Sequence, residues 1–358
     1  MGPGINDVKE IRILNRIVAW EQDGIRYEAD QRHAEILANA LNLQDAKGVE
    51  TPGINITIDE ALKERELRSS DVSLVGVEAT AYRACAARSN FLGLDRPDMQ
   101  FAAKEVSRHM SQPQESDIAA LKRLARYCRR YPRIVFKYKF QAPPKSIKVY
   151  SDSNYAGCLK TRKSTQGGAI LLGQHCVKTY SSTQGVIALS SAEAEFYGIV
   201  KAASVGLGSR AALCDLGCEL PLTIFTDATA AQAMASRRGL GKPKHMDTQY
   251  LWIQERVNNN DFGLSKIPGS ANPADLMTKH LDSGTMRRHM AALGLEVRDG
   301  RSVIAPSLGH LRLRGAGSLQ AVSARLRPKG RAPKAPTRSR LPDSKAPETE
   351  WAQSGEFR

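Results

Sequence analysis

Two β-patterned runs in this chain each end in an aspartate. Ile147-Lys-Val-Tyr150 has the branched and aromatic character of a strand and leads to Asp152, just before the turn residues Asn154 and Gly157. Pro221-Leu-Thr-Ile-Phe-Thr226 leads in the same way to Asp227. Between them lie a hairpin pattern and a helix, the connection that makes two strands parallel neighbours. Parallel strands run about 4.8 Å apart. Carboxylates at matching ends therefore repel unless one is protonated or a divalent cation lies between them. Hard oxygen donors gathered for a cation are the chemistry this pair offers. A lone strand ending in Asp would signal no more than a turn.

The elements that must position these acids follow from periodicity. After Asp152, Gly168–Leu172 and Cys176–Ser181 read as short strands joined at Gly173-Gln174. A helix from about Leu189 to Ser204 carries Leu189, Ala192, Phe196, Ile199 and Ala203 as its apolar stripe. Its acids Glu193 and Glu195 flank that stripe on opposite sides, and spacing alone leaves open which one faces the strand ends. Beyond Asp227 the pattern predicts a short Ala-rich helix over 228–236, a basic loop over 237–244 and a helix over 246–257. A strand over 262–267 and a last helix over 272–280, holding Asp275, complete it.

Upstream, residues 11–14, 16–20, 25–28 and 134–138 are strand-like. Helices are expected over 31–42, 79–90, 97–110 and 117–131, with Pro97 at a favoured first helical position. Residues 54–74 are polar and read as a linker or insertion. The chain thus divides into a mostly helical part over 10–140, an α/β part over 145–295, and a tail over 302–358 whose basic, Pro-rich composition predicts disorder.

Composition narrows the partners. The net charge is +15, and residues 301–358 hold twelve Lys and Arg against four Asp and Glu. The surplus outside the tail still favours a polyanion, most simply nucleic acid. No apolar run reaches the roughly eighteen residues of a membrane span, and no apolar signal core follows Met1. An intracellular setting, cytoplasmic or nuclear, is expected, and the six scattered cysteines suit free thiols there. Cys214 and Cys218 read as helix-end packing.

The long motifs add a resemblance. DSNYAGCLKTRKSTQGG (152–168), LSSAEAEFYGI (189–199), FTDATAA (225–231), KHMDTQYLWIQERV (244–257) and NPADLMTKHL (272–281) occur in order. Upstream, AYRACAARSNFLGLDRPDMQFAAKEVSRHM (81–110) and LKRLARYCRRYP (121–132) fit the same frame. Over roughly residues 10–295 the chain resembles the C-terminal part of the Pol polyprotein of copia-type retrotransposons. There the end of the reverse transcriptase, its thumb and connection, precedes a ribonuclease H domain. The resemblance implies an α/β ribonuclease H-like fold, a five-stranded mixed sheet with helices in the order β-β-β-α-β-α-α-β-α. It also implies an acidic tetrad at Asp152, Glu195, Asp227 and Asp275 holding two Mg²⁺ or Mn²⁺ ions. It favours Glu195 over Glu193 because Glu195-Phe-Tyr-Gly198 matches the family's helix pattern, leaving Glu193 as a solvated acid. The activity implied is hydrolysis of the RNA strand of RNA–DNA hybrids. No polymerase activity is expected, since the palm's paired aspartates do not appear. The loop Pro268-Gly-Ser-Ala-Asn272 lacks the His that many ribonucleases H carry before the last acid.

Basic residues supply candidate phosphate contacts: Arg162 and Lys163 in the hairpin region, Lys242, Lys244 and His245 in the basic loop, and Lys122 and Arg126 on the 117–131 helix. The alternative reading is a catalytically inactive nucleic-acid-binding remnant of a decayed retrotransposon. An integrase is disfavoured because its catalytic Glu would follow both aspartates.

Overall fold

The computed structural model describes residues 1–55, 60, 66, 71–239, 241, 245–309, 317 and 319–321. The chain opens with β1 (Glu10–Ile13), β2 (Arg16–Glu21) and β3 (Gly24–Glu28), an antiparallel meander. Helices with described bounds follow at α1 (Arg32–Ala40), α2 (Gly76–Gly93), α3 (Pro97–Arg108) and α4 (Asp117–Arg130). Pro97 occupies the first turn of α3, where its missing N–H costs nothing. Leu37, Tyr82, Met99 and Leu121 bury the inner faces of the four helices in one core. β4 (Arg133–Lys139) then pairs antiparallel with β3. Of the expected linker over 54–74, residues 56–59, 61–65 and 67–70 lie outside the described residues. Its end is tied down, with Leu74 buried and its N–H donating to the Pro113 carbonyl at 2.8 Å.

The second sheet is built from β5 (Ile147–Ser153), β6 (Thr165–Leu172) and β7 (His175–Thr183), then α5 (Ser191–Asp215) and β8 (Leu222–Thr226). α6 (Thr229–Ser236), α7 (Trp252–Asn258) and β9 (Gly263–Lys266) follow. Its order is β7-β6-β5-β8-β9. β6 is antiparallel to both neighbours, while β5, β8 and β9 run parallel. This is the mixed five-stranded ribonuclease H-like sheet, with helices against it. Side chains alternate between its faces. Val149 and Ile170 face α5, whereas Ala169 and Leu171 join the core of the first unit. α3 covers that second face, its Lys104 Nζ donating to Thr165 Oγ1 at 2.6 Å.

Four features depart from the sequence reading. α5 starts at Ser191 because the Ser190 side chain caps it, leaving Leu189 outside and 64 % exposed. It continues to Asp215, since Gly206 lets the helix lie close on Val149 and Leu222 where a Cβ would stand 3.1 Å from both. The expected helix over 272–280 is instead a pair of short 3₁₀ turns, Gly269–Ala271 and Pro273–Met277, with Asn272 between them accepting from the Ala274 N–H. The expected boundary at 295 falls within the first sheet: after α8 (Ser283–Ala292), β10 (Leu295–Arg298) pairs with β4, Leu295 opposite Phe136. Four residues of strand are too short a pattern to reveal a partner so far back in sequence.

Cys214 and Cys218 are exposed rather than packed; all six cysteines are free thiols. Leu319 is fully buried in the first core, and Gln320 Nε2 donates to the Asn39 carbonyl. The rest of the expected tail, 310–316, 318 and 322–358, lies outside the described residues. Among those described, no helix is long and apolar enough to cross a membrane.

Candidate metal centre

β5 and β8 deliver the first two acids. Tyr150 lies opposite Phe225 in the parallel ladder, their rings stacked 5.2 Å apart, and each strand places its aspartate two residues further on. α5 crosses beneath β5 and brings Glu195. The crossing is close because Gly198 has no side chain; a Cβ there would stand 2.8 Å from Ser153 Oγ. Asp152, Glu195 and Asp227 each offer a carboxylate oxygen, all within 4.8 Å of one another. Asp152 is 3 % exposed and Glu195 8 %. Glu195 Oε1 accepts from the Ser153 N–H at 3.3 Å, while Glu195 Oε2 is buried without a hydrogen-bond partner among the described residues.

The fourth acid arrives on the second 3₁₀ turn. Asn272 Nδ2 donates to the Ser151 carbonyl at 2.9 Å, Ser181 Oγ to the Met277 carbonyl at 2.6 Å and Asn154 Nδ2 to the Thr278 carbonyl at 3.0 Å. These bonds clamp the turn to β5 and β7. Asp275 is thereby held near the other acids, and the Thr278 hydroxyl donates to Asp152 Oδ2. Lys279 Nζ stands 2.8 Å from Asp275 Oδ1 and 3.7 Å from Asp152 Oδ2. Sequence reading gave no role to Asn272, Thr278 or Lys279. Their signal was present in NPADLMTKHL, where Lys279 follows Asp275 by four residues.

Crowded, dry carboxylates resist ionisation. Burial, reinforced by Asp152 and Asp227, pushes Glu195 up to about 9. Burial and Asp152 push Asp275 up to about 7, with Lys279 opposing. Asp227 is raised by burial and by Asp152. Burial works against the Lys279 charge, but Asp152 and Asp275 outweigh it and raise that amine. The donor set is all carboxylate oxygen, partly unsatisfied, and suits a hard divalent cation.

Glu193 is a correction. It is 2 % exposed, not solvated. Glu193 Oε2 accepts from the Leu189 N–H at 3.1 Å while Ser190 Oγ accepts from the Glu193 N–H at 3.2 Å, a reciprocal cap. Tyr197 Oη donates to Glu193 Oε1 at 2.7 Å, and His245 Nε2 lies 2.9 Å from Glu193 Oε2. Glu193→Ala is expected to lower stability by about 1–3 kcal/mol, the cost of stranding buried partners. Cleavage per folded molecule should persist. A thermal melt beside a cleavage assay checks this, and lost cleavage at unchanged melting would exchange the roles of the two glutamates.

The candidate phosphate contacts that are described are dispersed. Arg162 is exposed on the turn between β5 and β6, and Lys163 Nζ donates to the Gly185 carbonyl at 2.5 Å. His245 is engaged with Glu193 as above, and Lys242 and Lys244 lie outside the described residues. Lys122 and Arg126 are on α4 in the first unit, where Arg126 Nε donates to the Lys47 carbonyl at 2.7 Å. The structure brings Asp152, Glu195 and Asp227 together, with Asp275 joined to Asp152 through Lys279, and among the described residues it does not bring these cations to them as one patch.

A mixed sheet of this order, with carboxylates at the ends of its two central parallel strands, defines a ribonuclease H-like domain. The chain is similar to retrovirus-related Pol polyproteins of transposons. It is 27% identical over 221 residues to the Pol polyprotein of transposon RE1 of Arabidopsis thaliana, covering 61% of this chain and 15% of that protein. It is 26% identical over 256 residues to that of transposon TNT 1-94 of Nicotiana tabacum, covering 70% of this chain and 19% of that one. The chain thus spans under one fifth of the length of either relative. No family model matches it. Among solved structures it is similar to LC11-RNase H1, isolated from compost by a metagenomic approach, with a TM-score of 0.30 and 15% identity over 37% of this chain and 93% of that one.

Proposed function

We propose that the second unit is a divalent-metal-dependent ribonuclease that hydrolyses the RNA strand of RNA–DNA hybrids. The observation that carries this is the convergence of Asp152, Glu195 and Asp227 within 4.8 Å, with the buried Glu195 Oε2 left for a cation. Asp152, Glu195 and Asp227 would hold one ion, and Asp152 with Asp275 a second. Two Mg²⁺ or Mn²⁺ ions supply an acidified water and charge relief on the leaving oxygen of an in-line displacement. The chain's own part is positional. Asp152 lies between the two groups of ligands, and Thr278 and the Ser153 N–H fix the orientations of Asp152 and Glu195. Burial keeps water from screening the carboxylates. Arg162, exposed on the turn between β5 and β6, offers a phosphate contact, and the chain's positive charge favours a duplex substrate.

The test is cleavage of a hybrid labelled on its RNA strand, with Mg²⁺ and then with EDTA. Cleavage that requires metal and leaves DNA intact is the expected result. Tight hybrid binding without cleavage at any Mg²⁺ or Mn²⁺ concentration would instead make the chain a binding remnant.

A further inference from the structure

The four acids are not equivalent. Three form the compact set, and Asp275 stands apart from it with Lys279 for company. The Lys279 ammonium lies within 2.8 Å of Asp275 and 3.7 Å of Asp152, so it bridges the pair that a second divalent ion would have to bridge. A unit positive charge and a divalent ion cannot share that position. One of them must leave. The backbone at this point is clamped, since the Thr278 carbonyl is bound by Asn154 and the Thr278 hydroxyl by Asp152. The Lys279 side chain is 43% exposed and carries a flexible four-carbon stem, so it is the part able to move.

We propose that Lys279 is a tethered competitor for the second cation. This rests on the metal-dependent reading above and deepens it. One ion enters at Asp152, Glu195 and Asp227, where Lys279 reaches Asp152 only at 3.7 Å and need not leave. The other enters only as the ammonium swings out to solvent, so the two ions bind with unequal affinity and the second is the weaker. Without that second ion the ammonium neutralises Asp275 and Asp152, and the site holds its geometry without a full complement of metal. Lys279 acts here as a positioning residue, and metal counting reads its role without any turnover.

The experiment titrates Mn²⁺ into the full chain and follows the free ion by electron paramagnetic resonance. Wild type, Lys279→Met, Lys279→Gln and Lys279→Arg are compared. A charge within about 4–6 Å shifts a neighbouring ionic equilibrium by one to three logarithmic units, so both neutral variants should bind the second Mn²⁺ about tenfold more tightly or better. The first ion should change far less, and Lys279→Arg should follow wild type. An unchanged or weakened second ion in the neutral variants overturns the competition while leaving the metal site intact. Absence of Mn²⁺ binding by wild type overturns the metal-dependent reading itself, and the competition with it.

Discussion

Replacing Asp152 by Asn is expected to lower hybrid cleavage by about a thousandfold or more, a barrier rise of about 4 kcal/mol. Asp152 is the common member of the site. It is one of the three clustered carboxylates, it faces Lys279, and it accepts the Thr278 hydroxyl. Asn keeps the shape and one oxygen but removes the charge on which both proposed cation positions would depend. It also relieves repulsion, because Asp152 raises Asp227, Glu195 and Asp275 alike. The variant should therefore fold at least as well as wild type while failing to cleave. Single-turnover cleavage at saturating Mg²⁺, beside Mn²⁺ binding and a thermal melt, measures all three properties. Cleavage within tenfold of wild type would remove Asp152 from the centre of the mechanism.

Metal-free protein is expected to lose stability as pH rises from 7 to 9, and millimolar Mg²⁺ should restore it. The sign follows from Glu195, whose acid form burial favours in the folded chain, with Asp152 and Asp227 adding to the effect. Its pKa is raised from 4.5 to about 9. Its contribution is therefore complete below the unfolded value and disappears as pH climbs to the folded one. Asp275, raised to about 7, has spent most of its effect by the start of this window. Lys279 stays charged throughout, its amine being raised. The nearby His289 is lowered by burial and by Arg288, so its effect falls on the acid side. One proton gives a slope of at most about 1.4 kcal/mol per pH unit, and Lys104, lowered by burial to about 8, offsets part of it in the upper half of the window. Melting temperatures at pH 7, 8 and 9, with and without Mg²⁺, check the trend. Glu195→Gln should flatten it, and an equal slope in that variant would locate the ionisation elsewhere.

Much of the site could be read from short-range pattern. β5 and β8 declare themselves by branched residues ending in Asp, and the 3.6-residue stripe of α5 puts Phe196 and Ile199 in the core. What could not be read depends on distant partners. Glu193 is an acid on a helix flank, and only Tyr197 and His245 closing over it make it internal. Lys279 has the i,i+4 spacing of an ordinary surface pair; its importance comes from Asp152, far earlier in the chain. The turn carrying Asp275 looks helical by composition, but Pro273 and the Asn272 cap begin a tight 3₁₀ turn that the bonds from Asn154 and Ser181 hold in place. On the basic helix α4, where Lys122 and Arg126 are candidate phosphate contacts by sequence, Arg123, Arg126 and Arg129 bind oxygens of residues 44–51 in the chain's own loop.

The pairing of β10 with β4 has a consequence for how the protein is made. Arg298 lies opposite Arg133, so the whole second unit is threaded between two adjacent strands of the first sheet. Closing a loop that long carries an entropic cost that grows only slowly with length, and prior collapse of the second unit shortens the effective span. Until β10 has been synthesised, β4 is an open sheet edge bearing Ile134, Val135 and Phe136. Such an edge invites pairing with another chain. Arg133, Lys137 and Lys139 punctuate that strand with charge, the device by which nascent edges discourage self-association. The hazard during translation is therefore greatest at the moment before β10 emerges, and slower elongation upstream of it would lengthen the exposure.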